Sequence, residues 1–210
     1  ANKISIDDFR KGVEWDTRWT WPFEVYRSVF ETAHELSIPL IALNVNSEDL
    51  VLVEKGGLPN LPKQTMLSYI PDPVGFSTFA RPSSFRCYVD YVISPSYDMH
   101  KSMGLLKYTS MGEKMDTEMP FRNFFSSRIL WDECMASTAY DWTKKNPDGL
   151  IVGLVGADHV KFRDGIPGRY ERLAASALQN KSTLSTTSVM LNPSLIDTRP
   201  SGTVNMLQNS

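Results

Sequence analysis

His159 stands in the segment Gly-Leu-Val-Gly-Ala-Asp-His-Val-Lys-Phe-Arg-Asp-Gly-Ile-Pro-Gly-Arg, Gly153 to Arg169, directly behind the apolar run Leu150 to Val155. A neutral imidazole coordinates iron or a divalent metal, or moves a proton, so a histidine just past a buried run is a candidate site residue. Asp158, the residue before it, is placed to orient the loop or to act as a hydrogen-bonding partner of a ligand. Upstream, Leu-Trp-Asp-Glu-Cys-Met-Ala at 130–136 carries two adjacent carboxylates, Asp132 and Glu133. Neighbouring residues on a helix point to different sides, so the pair cannot serve one site together. His100, within Tyr97-Asp98-Met99-His100-Lys101-Ser102-Met103, is a second candidate axial ligand for haem iron, set against the plainer reading of a surface histidine among core methionines.

Other residues carry less. Tyr88, Tyr91, Tyr97 and Tyr170 could bind iron as phenolates, but tyrosines at this density ordinarily pack. His34 reads as structural or solvent-facing, and the stripe Phe121, Phe124, Phe125, Trp131 as core. No Gly-x-Ser-x-Gly elbow occurs, and Cys134 falls within an apolar helix, so a nucleophile is not supported. Gly153-Leu-Val-Gly156 has GxxG spacing rather than GxGxxG, and no Walker lysine follows.

The elements that must position these groups follow from periodicity. Pro22 opens a helix with Val25, Val29, Phe30, Ala33 and Leu36 on one face, after an aromatic turn holding Trp15, Trp19 and Trp21. Ile38 to Val45 is a short continuous apolar run that reads as a strand buried on both faces, followed by a brief helix from Glu48 to Lys55. A Pro/Gly-rich boundary runs from Leu58 to Pro82. Ser83 to Tyr97 fits a helix or a strand and is assigned to a helix interrupted at Pro95 and Gly104. A long helix is expected over Pro120 to Lys145, strands over Leu150 to Val155 and Thr187 to Leu191, and a helix over Arg169 to Gln179. The order of elements predicts an α/β fold with a mainly parallel sheet flanked by helices.

Composition sets the frame for these elements. With 210 residues, 41% of them hydrophobic, the chain can bury one core. The balance of 22 Lys+Arg against 24 Asp+Glu offers no electrostatic reason to expect nucleic acid or an anionic membrane surface as main partner. The two cysteines, Cys87 and Cys134, fit neither a metal-binding CxxC nor a disulfide framework and read as buried thiols. No apolar run approaches the roughly 20 residues a spanning helix needs. The chain opens on Ala1 rather than Met, which leaves room for an upstream segment.

Four segments in order, 15–45, 121–136, 149–172 and 188–193, resemble the haem-binding ChaN-like family, within the superfamily that includes erythromycin-esterase-like and Tiki-like proteins. The motifs that carry the resemblance are Leu-Trp-Asp-Glu-Cys-Met-Ala at 130–136, Gly-Ala-Asp-His-Val at 156–160 and Gly-Ile-Pro-Gly-Arg at 165–169. It implies a partial ChaN-like domain over 1–197, with the sheet part in 1–57 and 147–197, a mainly helical part in 58–146, and a tail at 198–210. It implies a non-catalytic protein that holds haem or a related tetrapyrrole in a crevice between sheet and helices. His159 would then be the iron or metal ligand, with His100, Asp132, Asp158 and Arg128 as further binding residues; the family motif shares Asp132, which favours it over Glu133.

Two departures qualify the carry-over. Family members open with a strand and a Gly-Glu-x-His-Asp-like motif that these residues do not contain, so the N-terminal third is expected upstream, on another chain, or lost, and a partner is expected to cover the incomplete sheet. Arg128 stands where bacterial members have Gln, three residues before the Trp, and a guanidinium does not replace a neutral amide. The wording is nearest plant and algal members, which implies a chloroplast location and allows peripheral membrane association. Two alternatives follow: an accessory subunit of a larger thylakoid photosynthetic complex, and a metal-dependent hydrolase-like enzyme whose N-terminal motif is supplied elsewhere.

Overall fold

Pro120, in extended conformation, cannot be the interior of a helix but suits its start, and Lys144 and Lys145 complement the negative end of the helix dipole before Asn146 breaks the pattern. Between them runs the longest helix, Phe121–Lys145, as the periodicity predicts. In the structure, a computed structural model describing residues 4–19, 21–177 and 186–193, this helix is the axis of the protein. The helices before it are α1 (Ile6–Gly12), α2 (Trp15–Arg18), α3 (Arg27–Glu35), α4 (Ser47–Gly56), α5 (Lys63–Tyr69), α6 (Pro73–Phe79), α7 (Ser83–Tyr88) and α8 (Ser94–Ser102). The long helix is α9, and α10 (Ile166–Ala177) follows it.

Residues 132 to 137 of α9 are all buried, more than a full turn, so this helix is enclosed on every side. Each side meets a different neighbour. Leu130 and Cys134 pack with Val45, Leu50, Val53, Leu61 and Ile70 around α4 and α5. Ala136, Ala139 and Tyr140 meet Tyr170, Leu173 and Ala174 of α10, where the small alanines let the two helices approach closely. Ile129 packs with Phe85, Tyr88, Val92 and Ile93. Upstream, α1 to α3 gather their own aromatic cluster, in which Trp15 contacts Trp19, Phe23, Tyr26 and Phe30.

The α/β reading does not hold. Among the described residues there is no sheet, and the one β-type pairing is an isolated antiparallel bridge between Tyr108 and Lys114. The three segments expected as strands are non-helical and belong to no ladder. They do carry a strand's alternation. Ile41, Leu43 and Val45 turn inward while Ile38 and Leu40 stay exposed, and Ile151 turns inward while Leu150, Val152 and Leu154 are 86%, 75% and 57% exposed. Leu43 and Ile151 rest on the same α9–α10 cluster. The expected burial of Ile38 to Val45 on both faces of a sheet therefore fails: the segment lies on helices by one face and has no ladder partner among the described residues.

Three boundaries also shift. The helix expected to open at Pro22 begins at Arg27, after a 3-10 turn over Phe23–Val25. The expected interruption at Pro95 is absorbed by a π-helical turn, Val89–Ile93, so helical structure runs on from α7 to Ser102. Widening the turn ahead of a proline relieves the clash with the preceding carbonyls and the missing N–H. α10 begins a turn earlier than expected, with Pro167 in its first turn, and its expected end at Gln179 lies outside the described residues, as does the tail at 198–210.

One buried ionic group binds α9 to α10. Glu133 is fully buried and receives Arg169 Nη1 at 3.0 Å on one oxygen and Arg172 Nη2 on the other. Arg169, 1% exposed, lies 4.7 Å from the Phe79 ring centre and 5.5 Å from that of Phe76, so a planar cation is held by both charge and aromatic faces. Arg172 also approaches Asp72 at 3.9 Å. Glu133→Gln removes the counter-ion of the buried Arg169 and one of the carboxylates beside Arg172, and a loss of about 3–5 kcal/mol is expected in urea denaturation. An unchanged midpoint would show that the triad does not hold the helices together. Arg18→Gln, which removes the exposed ion pairs to Glu14 and Glu48, serves as the control and should leave the midpoint where it is.

Candidate functional site

About 100° round α9 from Glu133, Asp132 is also fully buried. The ring of His159 meets it: Nδ1 hydrogen-bonds Oδ1 of Asp132. A carboxylate only accepts, so Nδ1 carries a proton, and in the neutral imidazole the lone pair then lies on Nε2. The other carboxylate oxygen, Oδ2, accepts from the Tyr88 hydroxyl at 3.2 Å and lies 3.7 Å from Nε of Arg128, one turn back on α9. The Tyr88 hydroxyl also reaches the backbone carbonyl of Asp158 at 3.3 Å. Trp131 sets its edge against the His159 ring, with centres 5.7 Å apart.

The local chain is shaped to bring His159 there. A short 3-10 turn, Ala157–His159, ends the extended segment. The Gly165-Ile-Pro-Gly168 motif then folds back so tightly that a Cβ on Gly165 would stand 2.2 Å from the His159 carbonyl oxygen, and one on Gly168 2.1 Å from that of Arg163. Neither glycine has a positive φ, so close backbone approach, rather than left-handed geometry, is what requires them. Gly156 is different: its Cβ would meet Cδ2 of His159 at an ordinary 3.6 Å.

Electrostatics follow from burial. Desolvation, reinforced by the charge of Asp132, pushes the Tyr88 phenol well above its usual range, so it stays a hydroxyl donor and not a phenolate. Burial alone would lower the Arg128 pKa, but Asp132 and Tyr88 outweigh it and the net shift is upward. Its Nε and Nη2 are buried with no hydrogen-bond acceptor among the described residues. Asp132 is the carboxylate that both groups serve. The His159 side chain keeps 14% exposure, while Asp132 has none.

Of the residues singled out from sequence, His159, Asp132 and Arg128 are brought together. Asp158 contributes its backbone carbonyl, while its carboxylate turns to Lys161 at 2.8 Å. His100 is elsewhere: its Nδ1 donates to the Ser96 carbonyl at 2.7 Å, and its ring lies on Phe124. Phe124 precedes Asp132 by eight residues, about 12 Å of helix. Tyr97 and Tyr170 spend their hydroxyls on Met119 and Thr143. Tyr91 is largely exposed, and His34 sits on the exposed face of α3. Burial raises the Cys134 thiol to about 11, and its sulfur faces the Leu43 carbonyl, which makes it inert.

Sequence reasoning missed the orienting role of Tyr88 and the packing of Trp131 on the histidine. The i, i+4 spacing of Arg128 and Asp132 was a local signal, whereas nothing local joins Tyr88 to Asp132 across 44 residues.

The histidine is therefore tied through one ring nitrogen to a buried carboxylate on a helical scaffold. A family model described as haem-binding uptake, Tiki superfamily, ChaN matches residues 1–170, a span that holds every residue of this site. The chain belongs to that ChaN-like haem-binding family. No curated protein and no solved structure matches it.

The glycine geometry is testable. Gly165→Ala is expected to lower the thermal midpoint and to shift the His159 ring resonances, because the clash is with backbone. Gly156→Ala should do neither, and identical behaviour of the two variants would refute the close-approach explanation.

Proposed function

We propose that the chain binds haem or a related tetrapyrrole, with Nε2 of His159 as the protein's donor to the iron. The observation that supports this reading is the Asp132–His159 pair: with Nδ1 engaged by the carboxylate, Nε2 is the nitrogen a neutral ring would offer to iron. Among the described residues no group of three or more His, Cys, Asp or Glu is placed to hold a metal ion. A bare divalent ion ordinarily takes three or four protein ligands, whereas a macrocycle already fills four positions and asks for one axial donor. The donor set therefore fits a tetrapyrrole iron better than a hydrolytic metal. When bound, the tetrapyrrole would supply the redox-active iron; Asp132, Tyr88 and Arg128 hold the ligand histidine, and Trp131 limits its rotation. No described helix is long and apolar enough to cross a membrane.

Haemin titration of the purified protein should produce a Soret band. His159→Ala should abolish it, Asp132→Asn should weaken affinity by about 10–100-fold as loss of a ligand-orienting partner does, and His100→Ala should change nothing. A full band in His159→Ala would overturn the assignment.

A second reading, compatible with the first, is that a protein partner covers the outward faces of the segments around Leu40 and Val152. Apolar side chains this exposed and arranged in alternation are costly to leave in water. Size-exclusion chromatography with mass measurement should find the chain in a stoichiometric assembly when isolated from its source, and a lone monomer with no partner would count against it.

A further inference from the structure

Asp132 divides its two oxygens between opposed tasks. Oδ1 faces Nδ1 of His159, while Oδ2 is engaged by the Tyr88 hydroxyl at 3.2 Å and by the Arg128 Nε at 3.7 Å. From this division, and resting on His159 as the iron donor, we infer that Tyr88 and Arg128 are positioning residues that draw carboxylate charge away from His159, keeping it a neutral-imidazole donor and biasing the bound iron toward its reduced state.

The physical chain is short. A carboxylate whose sole partner is an imidazole N–H pulls that proton toward itself and leaves electron density on the ring. Nε2 then donates more strongly, which stabilises ferric iron and lowers its potential. Donors on the far oxygen compete for the same charge and weaken the pull. Burial magnifies the competition, since Asp132 is fully enclosed, Tyr88 nearly so, and the Arg128 side chain is 11% exposed. Arg128 does not grip the carboxylate as a two-pronged fork, for its Nε and Nη2 find no acceptor among the described residues. It acts as a fixed positive charge beside Oδ2.

Tyr88 has one proton and two acceptors, Oδ2 of Asp132 and the Asp158 carbonyl at 3.3 Å. The same hydroxyl thus touches both the carboxylate and the loop that carries the histidine. Its phenol stays protonated, as its upward shift requires. Phe85 and Phe162 pack on its ring and keep the hydroxyl in place when its partners are altered.

Two measurements test the inference. In the protein without ligand, the Nδ1–H proton resonance of His159 should move downfield in Tyr88→Phe and in Arg128→Gln, because the carboxylate then accepts more strongly. In the haemin-loaded, reduced protein, both variants should raise the iron–histidine stretching frequency in resonance Raman spectra and make the reduction potential more negative, while Asp132→Asn should shift both in the opposite sense. Unmoved resonances and stretch in Tyr88→Phe and Arg128→Gln, or shifts in the Asp132→Asn direction, would overturn the inference. Loss of every His159-dependent Soret signal alongside a downfield Nδ1–H would instead sink the haem reading and leave the charge pull on the histidine standing.

Discussion

Two adjacent carboxylates buried at the middle of the central helix are the constraint from which the rest of the structure follows. Asp132 and Glu133 are both fully enclosed. A buried charge is tolerated only when it is paired and hydrogen-bonded, and neighbouring helix positions point in different directions, so each needs its own counter-group. The chain between 159 and 172 supplies much of both sets. His159 goes to Asp132, and Arg169 and Arg172 go to Glu133. To reach both sides of one helix within so few residues, the chain must turn sharply, and the two glycines at 165 and 168 give it room to do so.

The two carboxylates therefore do different work. Glu133 is structural: a guanidinium stacked on phenylalanine rings neutralises it and leaves nothing turned outward. Asp132 ends in a histidine whose second nitrogen has no hydrogen-bond partner among the described residues. Tyr88 and Arg128 complete its surroundings from α7 and from the preceding turn of α9. A site built this way depends on packing at one remove. The orientation of His159 rests on a carboxylate that can sit in the core only because a cation and a hydroxyl accompany it.

The helices and the candidate residues were legible in the sequence to different degrees. The bounds of α9 could be read from Pro120, the lysine pair and Asn146, because helix ends are chosen by groups within a few residues. The continuous apolar runs Ile38 to Val45 and Leu150 to Val155 are non-helical as expected, but neither is buried on both faces and the inference to a parallel sheet fails among the described residues. Alternation reports which side chains are inside; it does not report whether a neighbouring backbone stands at hydrogen-bonding distance. His100 illustrates a similar gap. A histidine flanked by methionines has the composition of a haem ligand, yet its ring is spent on its own helix and on Phe124.

By itself the sequence determined the position and ends of the longest helix, the non-helical state of the segments expected as strands, and the choice of His159 and Asp132 as candidate residues. These are properties of local periodicity, caps and motif wording. The tertiary structure alone decided that the described extended segments form no sheet, that Asp132 rather than Asp158 holds the histidine, that Tyr88 joins it, and that Gly165 and Gly168 are required by contact rather than by conformation. The physical reason is the same in each case: backbone ladders, charge pairing and close approach depend on groups far apart in the chain, and only the packing around α9 brings those groups together.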